Sequence, residues 1–440
     1  MLSVILVIIF ALAVIWCNNN REHSLHVMLA YSIVSPSIVL FGMRLDSMYV
    51  MDCVLLIVII LSGRSCILIP REFFRYYTLI AFVFFIYLVA WVIFNRNNSI
   101  EMMLQYTGCI RWLVYFQFCY QLNDDLDKNA LIGEIRKMLI LVTFLNVAFV
   151  IIQRGFPSIG YDLLKSLKSD ATYYYLNLRD TFNDGGFRRC FGIMDYPMSL
   201  GCFSVMAFAF TLVSNEKKAL DYLIMIANIF TGILSSTKSF YVGFLAISFI
   251  VMIFSFYFNE LDLKRSIGYT LMFTSIIIIG FLMFDKIYLF LFEKLGANYA
   301  YYWSVLRDRS EIFRARYSAD RGFYSYMSEF LKDYWYIGVG PVSRVGESTV
   351  DSAYLSLLHS RGFIALITVL IFYIKRLIRF FGNKDLYAFS LIVLLMSFGV
   401  GFNTLIVSDN CMWVLFFILM TEVISNDPLS LEGITKFNIQ

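Results

Sequence analysis

Three polar segments of this chain carry side chains able to do chemistry, and each lies at the edge of an apolar run. The first reads Phe187-Arg188-Arg189-Cys190-Phe191-Gly192, then Asp195, Tyr196, Pro197 and, one turn on, Gly201. Guanidinium groups bind phosphate oxygens bidentately and stay charged at any working pH, so Arg188 and Arg189 suit a lipid diphosphate; they would serve equally as interfacial anchors. Pro197 fits the first turn of a helix, where its missing N–H is no loss. The paired arginines therefore sit just before a helix begins. The second segment, Ser235-Ser236-Thr237-Lys238-Ser239, holds one cation between two apolar stretches. A charge there is costly, so Lys238 meets an anion or a water-filled cavity, or else snorkels. The third segment runs from Arg307, Arg309, Arg314, Arg316 and Arg321 through Gly338-Val339-Gly340-Pro341 to Asp351-Ser352-Ala353-Tyr354-Leu355, Leu358 and Gly362. Gly-x-Gly-Pro is no dinucleotide fingerprint, because no strand and helix flank it and the third glycine is missing; it reads as a chain reversal. Asp351 falls near the start of a helix, where capping is the simplest role for an aspartate. Arg111, flanked by Gln105 and Gln117, is a further charge inside an apolar run, with Glu101 as its expected buried partner.

Composition dictates what must position these segments. Of 440 residues, 60% are hydrophobic and 15% charged, and the mean hydropathy is +0.71. Soluble domains are about half apolar and about a quarter charged, so a soluble fold is excluded. Apolar stretches recur at approximately 2–17, 25–43, 46–62, 77–94, 101–120, 135–153, 195–214, 217–235, 240–257, 266–285, 353–375, 386–405 and 410–425, and about 20 such residues cross roughly 30 Å of hydrocarbon as a helix. Continuous runs such as Ile276 to Met283 do not alternate as barrel strands do. The expected fold is all-α: a polytopic integral membrane protein of about 12 to 13 transmembrane helices with two long loops. The N-terminal helices take residues 1–153, the first long loop 154–194, the central helices 195–285, the second long loop 286–352, and the C-terminal helices with a short tail 353–440.

Orientation follows from the short loops, because lysine and arginine collect on the cytoplasmic side. Loops after odd-numbered spans hold fifteen basic residues, Arg21, Arg64, Arg71, Arg75, Lys128, Arg136, Lys137, Lys217, Lys218, Lys264, Arg265, Lys375, Arg376, Arg379 and Lys384; short loops after even-numbered spans hold three, Arg44, Arg96 and Lys238. Both long loops follow even-numbered spans, so they are expected on the periplasmic side of a bacterial inner membrane. Within the second, Tyr299, Tyr302, Trp303, Leu306 and Phe313, and again Phe323, Tyr326, Phe330, Leu331 and Tyr334, recur at helical spacing. They read as amphipathic helices that lie on the membrane surface or pack on the bundle. The eight cysteines lack metal-ligand spacing, and His23 and His26 have only His359 for company, so no metal site is expected. The start, Met1 to Cys17, lacks a basic region and a cleavage pattern and reads as a retained first span.

Taken together, the three segments resemble the Wzy-type O-antigen polymerases and, more distantly, the WaaL-type O-antigen ligases. The resemblance rests on Arg189-x-x-Gly192 with Pro197 and Gly201, on Ser236-Thr237-Lys238-Ser239, and on Arg321 followed by Gly338-x-Gly340, Asp351-Ser352-x-Tyr354-Leu355 and Gly362. It covers about 150–405 and implies a membrane-embedded glycosyltransferase that uses no metal, cofactor or nucleotide sugar. The implied substrate is an undecaprenyl-diphosphate-linked oligosaccharide joined to a second repeat unit at the periplasmic face during lipopolysaccharide biosynthesis. The implied partners are the lipid bilayer and a polysaccharide chain-length regulator, with no nucleic acid. By this resemblance Asp351, Arg321 and Arg189 are catalytic, and Arg188, Lys238, Arg316 and Tyr354 bind substrate. Ligases carry His-Asn where this chain has Asp351-Ser352, which favours the polymerase. A flippase or other transporter of lipid-linked oligosaccharide is the competing class; such proteins show internal repeats, and none is found here.

Overall fold

The computed structural model describes residues 2–17, 24–34, 36–40, 43–46, 48–61, 66–70, isolated positions between 78 and 89, 128–168, 170–178, 181–183, 186–213, 219–258, 275, 283–295, 335–338, 344–345, 348–349, 352–401 and 434–438. Within them the chain is mostly helical: α1 (Leu2–Cys17), α2 (Ser24–Val34), α3 (Met48–Leu61), α4 (Lys128–Gly155), α5 (Pro157–Leu167), α6 (Asp170–Leu176), α7 (Pro197–Val213), α8 (Ala219–Ser235), α9 (Lys238–Phe258), α10 (Phe284–Leu295), α11 (Ala353–Gly382) and α12 (Leu386–Phe398). Short antiparallel ladders join β1 (Ser37–Leu40) to β2 (Met43–Asp46), β3 (Cys66–Pro70) to β8 (Ile434–Asn438), β4 (Phe182–Asn183) to β5 (Gly186–Phe187), and β6 (Arg344–Val345) to β7 (Ser348–Thr349).

Arg136–Gly155 and Ala353–Gly382 are long and apolar enough to cross a membrane, and shorter apolar helices coincide with the expected spans at 2–17, 46–62, 195–214, 217–235, 240–257 and 386–405. The stretch expected to span 25–43 is a helix only to Val34 and then a hairpin in which Ser37 faces Asp46 and Leu40 faces Met43. Pro36 explains the break: it has no N–H to donate, and it turns the residue before it away from helical geometry. The expected spans at 101–120 and 410–425, nearly all of 266–285, and the amphipathic helices expected at 299–313 and 323–334 lie outside the described residues.

The core is organised around α7 and the segment leading into it, where every residue from Cys190 to Thr211 is buried. Its apolarity has no preferred face, as suits a helix enclosed on all sides. It packs against α4, α8, α9 and α12. Between α4 and α8, Arg136 pairs with Asp221 and Asn228 Nδ2 donates to Thr143 Oγ1 (3.2 Å), both contacts spanning 85 residues, so the two helices run parallel. Ser204 and Thr231 (3.0 Å) link α7 to α8. The outward faces are apolar: Ile8 and Leu12 of α1, Ile57 and Ile60 of α3, and Ile226 and Phe230 of α8 are all exposed. Exposed large apolar side chains of this kind suit contact with lipid or with other protein.

Helix α11 is bent at Gly362, where φ is 74° and ψ −179°. A straight helix of its 30 residues would be about 45 Å long, whereas the 13 residues of α12 span about 20 Å. Yet α12 follows α11 through a tight turn at Asn383–Asp385, and Ala353 N–H donates to the Gly399 carbonyl just past the end of α12 (2.8 Å). Both hold only if the short arm, 353–361, folds back from the long arm by roughly a right angle or more.

Candidate functional site

Two amide side chains of α4 build the segment that precedes α7. Gln153, fully buried, accepts from Phe191 N–H (3.0 Å) and Gly192 N–H (3.2 Å) and donates to the Gly192 carbonyl (2.8 Å). Asn146, seven residues earlier and so on the same face of α4, accepts from Ile193 N–H (3.0 Å). Together they satisfy a buried stretch of backbone that has no secondary structure of its own. Gly192 sits at φ +59°, and a Cβ there would collide with Asn146 Oδ1, so this turn admits only glycine.

The same segment meets the second polar motif. Cys190 N–H donates to Leu234 O at the end of α8 (3.0 Å), and Gly201 lies so close to the following turn that a Cβ would strike Thr237 Oγ1. Thus Arg189 and Lys238 emerge from stretches of chain that are hydrogen-bonded to one another. Upstream, Thr181 O accepts from both Arg188 N–H (2.8 Å) and Arg189 N–H (3.3 Å). Phe182 packs tilted on Tyr161 of α5 (4.9 Å) and edge-on to the buried Phe187 (5.0 Å), which holds the β4–β5 hairpin against α5. Arg188, Arg189 and Lys238 are half-buried.

A third guanidinium joins this end. Arg154, in the last turn of α4, acts on the Cys190 thiol. Burial nevertheless pushes that thiol up to about 11, so it stays protonated at neutral pH and is no nucleophile.

Lys168, just after α5, is buried. Its ammonium donates to the Ile33 carbonyl (3.2 Å) and the Val34 carbonyl at the end of α2, and lies 3.2 Å from Asp195 Oδ1. One cation thereby closes the C-terminus of α2 and fixes the turn that leads into α7. Lys168→Met is expected to lower stability by about 3 to 5 kcal/mol, because it leaves a buried carboxylate without its cation. The double variant Lys168→Met/Asp195→Asn should recover much of that loss in a thermal-unfolding cycle, whereas additive losses would contradict a direct pair.

For the third polar segment, Arg316, Arg321 and Asp351 lie outside the described residues. The N-cap position of α11 belongs to Ser352, whose hydroxyl donates to Gly399 O (3.3 Å) and makes no capping bond to the helix's own N–H groups. Tyr354, expected at the substrate, donates through its hydroxyl to Met396 O (2.7 Å), a contact that holds α11 to α12. Phe210 meets Tyr387 at the far end of the bundle (5.0 Å), and a Cβ on Gly243, in the first turns of α9, would lie 2.5 Å from the Phe398 ring. Helix α12 therefore finishes, and α11 begins, at the end where α7 and α9 start. The described parts of all three segments share one end of the bundle.

Asn146, Gln153, Arg154 and the Lys168–Asp195 pair do not stand out in the sequence. The available signal is the recurrence of two amides seven residues apart within an apolar stretch. No family model matches this chain, and no curated protein matches it in sequence.

Proposed function

We propose that this chain is a polytopic protein of the bacterial inner membrane that polymerises O-antigen, joining undecaprenyl-diphosphate-linked repeat units at the periplasmic face. The observation that carries this reading is the meeting of the Arg188-Arg189 segment with the Lys238 turn at one end of an apolar-faced bundle, where α11 also begins one residue after Ser352. The outward apolar faces support a lipid surrounding, and Arg154 adds to the positive charge of that end.

In this reading the anomeric C–O bond of the donor breaks, and its electron pair leaves with the diphosphate. A hydroxyl of the second repeat unit forms the new glycosidic bond and gives its proton to Asp351. Arg188, Arg189, Arg321, Arg316 and Lys238 hold the departing diphosphate, whose added charge they stabilise as it develops. General-base help of this kind is worth about 10² to 10⁴ in rate.

Asp351→Ala, Arg321→Ala and Arg189→Ala, tested singly at normal protein level, are each expected to give lipopolysaccharide bearing a single repeat unit. A wild-type ladder from any one of them removes that residue from the mechanism. A flippase would behave differently, since its loss leaves no repeat unit at the surface.

A further inference from the structure

We infer that Trp335, Tyr336 and Phe363 form an aromatic patch that seats the end of the second long loop at the headgroup level of the bilayer. This rests on the membrane reading above, and phospholipid at the boundary between acyl chains and headgroups is the partner. The long arm of α11 begins at Phe363, and its first N–H groups have no acceptor within the helix. The loop supplies them: Phe363 N–H donates to Trp335 O (2.8 Å) and Ile364 N–H to Tyr336 O (3.3 Å). The Trp335 ring lies 5.7 Å from that of Phe363 and 6.1 Å from that of Tyr336. All three aromatic residues are nonetheless exposed, at 52%, 44% and 44% for Trp335, Tyr336 and Phe363.

Below the patch an apolar stripe continues along one face of the long arm through Ile364, Ile367, Ile371, Ile374 and Ile378, all exposed. From Phe363 to Gly382 the arm rises about 30 Å, the thickness of a hydrocarbon core. The stripe itself, Ile364 to Ile378, rises about 21 Å of this and, bounded at its top by an indole and a phenol, has the form of a helix face in lipid with its aromatic belt. The short arm, folded away at Gly362, is then surplus to the crossing.

The test is depth-dependent fluorescence quenching of the full chain in phosphatidylcholine vesicles, with bromine placed either near the carbonyl end of the acyl chains or near their middle. Subtracting the Trp335→Phe spectrum isolates Trp335, and this substitution leaves the backbone hydrogen bond in place. The Trp335 signal is expected to be quenched about two-fold more strongly by the shallow bromines than by the deep ones. Equal or stronger quenching by the deep bromines, or none by either, overturns the assignment. Trp16→Phe, on the exposed face of α1, separates the two readings. If Trp16 is quenched and Trp335 is not, the patch is covered by protein or water; if neither is quenched, the membrane reading itself fails.

Discussion

Gln153→Leu is expected to cost about 3 kcal/mol or more in stability and, under the proposed polymerase function, to reduce the polymer to a single repeat unit. The side chain it removes holds three buried backbone groups, the N–H of Phe191, the N–H of Gly192 and the carbonyl of Gly192. An orphaned buried group costs about 1–3 kcal/mol, and leucine offers neither a donor nor an acceptor. The turn would shift to find new partners, and Arg188 and Arg189 would move with it. Gln153→Glu is the informative companion. It keeps both accepting interactions, loses the donor to Gly192 O and adds a charge beside Arg154, so its unfolding midpoint should lie between wild type and Gln153→Leu. Thermal unfolding in detergent and the lipopolysaccharide ladder measure the two effects separately. A Gln153→Leu protein with wild-type melting would mean that the turn is held by something other than α4.

The second large effect is expected at the bend of α11. Gly362 occupies a left-handed conformation reserved in practice for glycine, and a Cβ would collide with the Tyr336 carbonyl and the Ile337 N–H. That backbone cannot easily withdraw, since Trp335 O and Tyr336 O are the acceptors for the first N–H groups of the long arm. Gly338 is the reciprocal position, where a Cβ would run into the backbone of Ser360, Arg361 and Gly362. Gly362→Ala and Gly338→Ala are each expected to lower stability by about 3 kcal/mol, through strain together with lost caps. Because both disrupt one contact, the double variant should lose clearly less than the sum. Strict additivity in the unfolding measurements, or alanine at 362 without effect, would show that the loop and the bend are not coupled.

The helical, apolar character of the chain is legible in the sequence, because burial or lipid contact along a helix demands long apolar runs and these dominate it. Individual boundaries are legible where a residue enforces them. Pro197 opens α7 as expected, since proline suits a first helical turn. Pro36, which ends the second apolar stretch early, carries the same kind of information, although hydropathy alone would extend the helix past it. The bend at Gly362 is not legible: glycine within an apolar run reads as a tolerated weak point, and its φ depends on contact with the distant loop at Tyr336 and Ile337.

The candidate site divides in the same way. Arg188, Arg189 and Lys238 stand out because a charge is expensive in an apolar setting, a property of each residue alone. Gln153, Asn146, Lys168 and Asp195 do not, because their importance lies in partners 27 to 135 residues away. By itself, then, the amino-acid sequence determined the helical, apolar character of this protein and the cations it can offer, since both follow from composition and local pattern. Only the tertiary structure decided which polar segments meet, which turn is held by which amide, and where α11 folds back. Those outcomes depend on buried hydrogen bonds and close backbone approaches that no local pattern encodes.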